Sequence, residues 1–199
     1  KHAGEGGPLA KFRFPKKTSP EVCLVGRSNV GKSSLLNALI YGNSGEVDEK
    51  RRRGTTPKGY KLGAGKKARV SAKPGETVEL GFYTLRDDRV LTLVDCPGYG
   101  FNVRSDESLR LLVEEYLKSG RCSRLLMLVD ARVGLKPMDI DFLEAAAGKT
   151  PVQMVLTKCD LVKRTRLAQL IPEMEWKLKE MKREVKLEKT AAISSKPGV

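Results

Sequence analysis

The sequence predicts an α/β fold: a mostly parallel six-stranded sheet with helices on both faces. Three observations predict it. Short aliphatic runs alternate with stretches of helical periodicity along the 199 residues, an alternation that builds parallel sheets covered on both sides. A glycine-rich loop, Gly26-Arg27-Ser28-Asn29-Val30-Gly31-Lys32-Ser33, separates the first apolar run from the first helical stretch. Three further polar segments each close an apolar run, at the strand ends where open α/β sheets gather their ligands.

The elements follow in order. Residues 1–20, punctuated by glycine and proline, read as a basic arm ordered only near Phe12 and Phe14. Residues 21–25 form the first strand, because Val22-Cys23-Leu24-Val25 is a continuous apolar run of the kind buried on both faces. A helix is expected over 32–41. Residues 42–73 are long, basic and structureless by pattern, and a connection of that length in a compact domain is functional or disordered. Residues 78–85 and 90–94 read as a hairpin around Arg86-Asp87-Asp88-Arg89. A helix near 105–119, a strand at 125–129, a helix at 138–147 and a strand at 152–156 come next. A long charged helix over 166–185 and a strand at 190–193 complete the set. In that long helix Leu167, Leu170, Ile171, Met174, Leu178 and Met181 recur at helical spacing, which describes an amphipathic surface helix with Trp176 at its edge. There are no internal repeats, and the length fits one domain. The division is an arm over 1–20 and one domain over 21–199, with a basic insertion at about 47–73.

Composition narrows the class. With 40% hydrophobic and 31% charged residues, the chain reads as a globular protein rather than a disordered one. No apolar run approaches the length of a membrane span, and the visible start lacks a secretory core. It opens on Lys1, so the native start is expected upstream or removed. Four cysteines stand far apart without C-x-x-C spacing, which argues against zinc and for a reducing compartment. His2, the one histidine, lies in the arm and is a poor catalyst or ligand.

The net charge of +14 is concentrated. Residues 50–73 hold ten Lys/Arg and no acid, and residues 1–20 hold five basic groups against Glu5. Those two segments carry the entire imbalance, which fits a polyanion footprint better than a merely solvated face. Nucleic acid is the expected partner; an anionic membrane is disfavoured because no amphipathic helix accompanies either run.

G-x-x-x-x-G-K-[ST] between strand and helix is a phosphate cradle. Its backbone N–H groups converge on one anion, and the helix that follows adds the positive end of its dipole. Gly26, Arg27, Ser28, Asn29, Val30, Gly31, Lys32, Ser33 and Ser34 are the expected cradle. Lys32 would reach the β- and γ-phosphates and Ser33 would ligate Mg²⁺. The loop alone does not separate ATP from GTP. Asp95-Cys96-Pro97-Gly98 does more: Asp95 can hold Mg²⁺ through water, and the Gly98 N–H can meet the γ-phosphate. Thr157-Lys158-Cys159-Asp160 has the form [NT]-K-x-D. Its carboxylate would accept from both N1–H and the exocyclic amine of guanine. Adenine would leave that buried carboxylate unpaired. Lys158 would lie along the base, and Ser194-Ser195-Lys196 would present a backbone N–H to guanine O6.

These motifs resemble the EngB (YihA/YsxC) family of the TRAFAC class of translation-factor-like GTPases. The matching residues are 26–37, Val94-Asp95-Cys96-Pro97-Gly98-Tyr99-Gly100-Phe101, Val129-Asp130-Ala131-Arg132, Lys136-Pro137-Met138-Asp139, Leu156-Thr157-Lys158-Cys159-Asp160 and Ser194-Ser195-Lys196. The resemblance implies a P-loop NTPase of the Ras-like G-domain type. It implies a GTP- and Mg²⁺-dependent enzyme that assists assembly of the large ribosomal subunit in bacteria or organelles. The implied partners are a large-subunit precursor, its rRNA and neighbouring assembly factors or ribosomal proteins, with the chain itself a monomer.

Two departures from the pattern matter. The switch I threonine that closes over Mg²⁺ and the γ-phosphate has two candidates. Thr77 sits in Pro74-Gly75-Glu76-Thr77 ahead of Phe82-Tyr83, and Thr56 sits at the better distance from Ser33. Thr77 is preferred because the downstream strand sets its register, which makes it a catalytic and metal residue beside Lys32 and Gly98. Second, the chain stops where the family's last helix would begin. Mechanistically, Tyr99 stands where Ras-like enzymes keep a water-orienting glutamine, so slow intrinsic turnover is expected. Asn29 matches a P-loop asparagine that holds K⁺ in related enzymes, so K⁺ stimulation is expected; the alternative is that it only braces the loop. A mitochondrial matrix location is expected from the start residue and the basic insertion, with bacterial cytoplasm or plastid as alternatives. Competing functions are a metabolic P-loop ATPase or kinase and a non-hydrolysing RNA scaffold.

Overall fold

The structure is a computed structural model that describes residues 14–41, 66–73, 76–85, 90–100, 103–181 and 186–194, with the backbone alone at 41, 66–73, 76–78, 103–109 and 187. The elements run β1 (Glu21–Gly26), α1 (Lys32–Tyr41), β2 (Lys66–Lys73), β3 (Glu76–Leu85), β4 (Leu91–Asp95), α2 (Val103–Lys118), β5 (Cys122–Asp130), α3 (Pro137–Ala146), β6 (Val152–Thr157), a 3₁₀ turn (Cys159–Leu161), α4 (Arg164–Lys179) and β7 (Leu187–Ala192). The strands form one sheet in the order β2-β3-β4-β1-β5-β6-β7. The pairs from β4 through β1, β5 and β6 to β7 are parallel, and β3 runs antiparallel to both β2 and β4.

Among the described residues the six strands expected from the sequence are all present, and the sheet gains a seventh. Residues 66–73, expected to be structureless, pair as β2 with β3 from Lys66↔Phe82 to Lys73↔Glu76. The reason is positional. An outermost strand needs a neighbour to hydrogen-bond but no buried apolar face, so a lysine-rich run can serve. Its charges also discourage pairing with another chain. The inserted stretch therefore ends in the sheet, and residues 47–65 lie outside the described residues. The helix α4 is shorter than expected, ending at Lys179 with Glu180 as its cap. Met181 still packs on the core, which is why its periodicity carried the expectation past the helix end. Trp176, expected to pack at the edge of this helix, is 59% exposed.

The sheet separates two apolar layers. On one face Cys23, Val25, Val94, Leu125, Met127 and Met154 meet Leu112 and Tyr116 of α2, Leu143 of α3 and Leu170 and Met174 of α4. On the other, Leu24, Leu93, Leu128 and Val155 meet Leu36 and Ile40 of α1. Each fully buried side chain of this kind contributes about 1.5–3 kcal/mol relative to exposure. The four cysteines are free thiols. Although remote in sequence, Cys23 and Cys96 approach to 3.2 Å between sulfurs.

At the end of β1 opposite the glycine loop, the last part of the arm is clamped. Phe14 packs edge-on against Tyr116, ring centroids 5.6 Å apart, and 6.4 Å from Phe82. The Arg121 guanidinium donates to Pro15 O at 2.6 Å and pairs with buried Glu21, which also accepts from the Tyr116 hydroxyl at 2.9 Å.

Candidate nucleotide site

Because β4, β1, β5 and β6 lie side by side and parallel, their C-terminal ends bring Asp95, Gly26, Asp130 and Thr157 to one edge of the sheet. The sequence motifs, scattered over more than a hundred residues, therefore become one site.

The cradle itself runs from Gly26 to Ser34. Gly26 has φ +150°, and a Cβ there would meet Leu128 O at 2.7 Å, so no other residue fits against β5. Val30 is buried among α1 and β5 side chains and anchors the loop. Ser33 and Ser34 open α1 with exposed side chains, and Gly31 precedes them. Lys32 is 8% exposed and donates to Gly26 O at 2.8 Å and Arg27 O at 3.1 Å. It folds back on the carbonyls of the loop it follows.

Lys32 and Asp95 share a desolvated place. Burial lowers the pKa of Lys32, and the carboxylate of Asp95 opposes that shift. Burial raises the pKa of Asp95, with Lys32 opposing. Asp95 Oδ1 is buried and has no hydrogen-bond partner among the described residues. A hard divalent cation beside a phosphate takes one or two protein oxygens and completes its shell elsewhere. The orphaned Asp95 oxygen and the exposed Ser33 hydroxyl fit Mg²⁺ in that sense. Among the described residues no group of three or more His, Cys, Asp or Glu could hold a metal.

Gly98 is pressed onto the cradle. A Cβ there would lie 2.7 Å from Ser28 Cα and 2.9 Å from Lys32 Nζ. The turn is pinned at both ends, with Cys96 N–H donating to Leu24 O at 3.1 Å and Ser28 N–H donating to Tyr99 O at 2.9 Å.

The residues expected to read guanine are assembled from β6, β5 and the segment after β7. The Thr157 hydroxyl lies 2.6 Å from Val30 O, tying β6 to the cradle. Lys158 adopts φ 58° and donates to Asn29 O at 2.7 Å, while standing 3.0 Å from Asp130 Oδ2. Asp130 also receives Nε and Nη2 of Arg132, and these contacts hold its carboxyl well below the usual range despite burial. Ser194 Oγ donates to Asp160 Oδ1 at 3.0 Å, orienting the carboxylate expected to read guanine. Cys159 N–H donates to Ile193 O at 3.2 Å, which ties the end of β7 to the turn that carries Asp160.

Thr77 lies in β3, opposite Ser71 of β2. Gly81 of the same strand pairs with Asp95, so Thr77 stands four residues, about 13 Å of extended chain, beyond the level of that carboxylate. Thr56, Ser195, Lys196 and Phe101 lie outside the described residues. Tyr99 is 5% exposed and faces away from the cradle, its ring stacked on Phe142. Two carboxylates were not singled out as site residues from the sequence. Asp130 braces Lys158, and Asp139 receives the Tyr99 hydroxyl. Both sit in stretches that carried the family resemblance, but no spacing rule marks a carboxylate whose partners come from other strands.

Comparison with known proteins agrees with this geometry. The family described as 50S ribosome-binding GTPase matches residues 21–158. A probable GTP-binding protein EngB of Wolbachia pipientis wMel is 36% identical over 167 residues, covering 81% of this chain and 73% of that protein. The corresponding protein of Anaplasma marginale (strain Florida) is 36% identical over 178 residues, covering 87% and 75%. That of Gluconobacter oxydans (strain 621H) is 39% identical, covering 82% and 63%. Among solved structures, a variant of Aquifex aeolicus Era bound to GDP·AlF4⁻ superposes with a TM-score of 0.55 at 24% identity. Era in complex with MgGDPNP and 16S ribosomal RNA nucleotides superposes at 0.54 and 23%. This chain is covered to 89% and spans about half of each Era chain, 51%, and the likeness is one of fold. With a complete phosphate loop, a guanine-type motif and these relatives, the chain belongs to the EngB family of GTP-binding proteins and is a GTPase.

Proposed function

We propose that this protein is a GTP-driven switch that assists assembly of the large ribosomal subunit by binding rRNA. The observation that carries the RNA part is where the charge enters the fold. The whole excess of +14 resides in residues 1–20 and 50–73. Phe14, where the arm joins the domain, packs on Phe82, and Phe82 pairs with Lys66 in the basic strand β2. The two basic segments thus meet the domain in one neighbourhood, at the outer side of the sheet, and can present a single surface to phosphates. The matched family's description as a 50S ribosome-binding GTPase supports the large-subunit partner, and the 16S rRNA fragment in the Era complex supports only ribosomal RNA as the class of ligand.

The switch is built into the same side of the sheet. β3 carries Thr77 and pairs with β4, which ends at Asp95. GTP with Mg²⁺ draws the Thr77 segment and the 95–101 segment onto the γ-phosphate and the cation, and hydrolysis releases them. Lys32 and the Gly98 N–H stabilise the developing charge. With Tyr99 turned inward, no side chain of that position orients water, so intrinsic turnover is slow. K⁺ held near Asn29, or the ribosomal particle, supplies the missing acceleration. Ser195 and Lys196 complete the guanine pocket. The protein acts as a monomer, without a membrane. The relatives are bacterial proteins, which favours a cytoplasmic setting over the mitochondrial matrix.

Co-sedimentation with large-subunit precursors tests the proposal. Binding is expected with a non-hydrolysable GTP analogue and not with GDP. It should weaken steeply from 50 to 200 mM salt, with a flatter slope when the lysines and arginines of residues 50–73 become glutamine. Binding that ignores salt, is equally strong with GDP, or is absent with the GTP analogue overturns it.

A further inference from the structure

Beneath the turn that carries Gly98 lies a carboxylate shared by three parts of the fold. Asp139 is 1% exposed. Its Oδ1 accepts from the Tyr99 hydroxyl at 2.7 Å. Its Oδ2 accepts from Lys136 N–H at 2.8 Å, capping α3, and lies 3.4 Å from Nε of Arg27. The Tyr99 ring stacks on Phe142 of α3, centroids 5.4 Å apart and planes 11° from parallel. Its carbonyl takes the Ser28 N–H, and Arg27 and Tyr99 form a parallel bridge. Burial and the neighbouring carboxylate keep the Tyr99 hydroxyl protonated at any working pH, so it remains a donor. One buried anion thus joins the cradle through Arg27, the Gly98 turn through Tyr99 and the start of α3 through Lys136.

We infer that Asp139 and Tyr99 are positioning residues for GTP: they hold the 95–99 turn seated on the cradle, so that the Gly98 N–H is in place before the γ-phosphate arrives. A buried carboxylate that loses a donor incurs the full desolvation cost of that oxygen, so the turn has one favoured seat rather than several. A donor already aimed at the phosphate needs no reorganisation on binding, and that advantage belongs to GTP alone. Helix capping by itself does not require the Tyr99 hydroxyl or Arg27. Ring packing by itself does not require Asp139. Only the shared role uses every contact, and it is independent of the ribosomal partner, because no RNA is involved.

The test uses Tyr99→Phe, which keeps the ring on Phe142 and removes only the hydroxyl. Fluorescent GDP and a non-hydrolysable GTP analogue are titrated with Mg²⁺, and GTP turnover is followed. GDP affinity should stay within about twofold of wild type. Affinity for the analogue and kcat/KM for GTP should both fall about tenfold, equivalent to about 1.4 kcal/mol. Asp139→Asn should act in the same direction, and the double variant should lose no more than the worse single one, as two halves of one interaction do. Because Asp139→Asn also touches the α3 cap, Tyr99→Phe decides alone if the asparagine variant melts early. Equal losses for GDP and the GTP analogue, no loss in either, or additive losses in the double variant would overturn the inference.

Discussion

Replacing Gly98 by alanine should separate GTP from GDP binding, and the size of the effect can be worked from the packing. The backbone at Gly98 does not need positive φ, so alanine is not strained there; only space is lacking. A Cβ would meet Ser28 Cα at 2.7 Å, where ordinary contact begins at 3.4 Å. The Lys32 tip can swing aside, but Ser28 cannot, since Gly26 is wedged against Leu128. The turn must therefore retreat by about 0.7 Å. That stretches the Ser28 N–H bond to Tyr99 O from 2.9 Å to about 3.6 Å, beyond hydrogen-bonding range. The Ser28 bond is then missing from free and bound protein alike, so the affinity loss comes from the expected charge-assisted Gly98 contact to the γ-phosphate, about 1.5–3 kcal/mol, or about 10- to 150-fold. GDP has no γ-phosphate and should bind within about threefold of wild type. Calorimetric titration with GDP and a non-hydrolysable GTP analogue, both with Mg²⁺, measures the two constants. Unchanged affinity for the analogue would mean the turn relaxes freely, and the reasoning from contact distances fails.

Further outcomes follow from the same geometry. Asp160→Asn should move preference from guanine to xanthine nucleotides, since the amide donates where the carboxylate accepted; unaltered GTP affinity in calorimetry would refute the assignment of the base pocket. GTP hydrolysis in matched KCl and NaCl, with and without Asn29→Ala, should show K⁺ stimulation only in the wild type. Equal rates in all four conditions would leave Asn29 as a brace for the loop. Asp130→Asn removes one of the two anchors of Lys158 and should weaken GTP and GDP alike, by about five- to tenfold, or about 1–1.4 kcal/mol. The pH dependence has a definite sign. Asp130 is held below its ordinary 3.8 by Arg132 and Lys158, so its stabilisation is complete above that value and is lost as pH falls beneath it. Thermal melts from pH 5 down to pH 3 should show a steeper loss in wild type than in Asp130→Asn.

What the chain declares locally is its chemistry. The phosphate loop, Asp95-Cys96-Pro97-Gly98 and Thr157-Lys158-Cys159-Asp160 each carry their own signature. The apolar runs ahead of them specify strands without reference to distant residues. Because parallel strands align their ends, the meeting of these motifs at one edge could be anticipated from order alone. The seat of Thr77 could be anticipated only as a choice, since it depends on the register of β3 against β4. The tertiary structure decided the rest. β2 is a strand because β3 offers it a partner, not because Lys66-Lys67-Ala68-Arg69 favours extension. Tyr99 faces Asp139 instead of the phosphates because α3 brings Phe142 and a buried carboxylate beneath the turn. Phe14 clamps the arm because Phe82 and Tyr116 converge there from two remote elements. Local patterns register hydrogen-bonding propensity and amphipathic period, whereas the partner of a buried charge or ring is set by contacts across long loops, which no stretch of sequence contains.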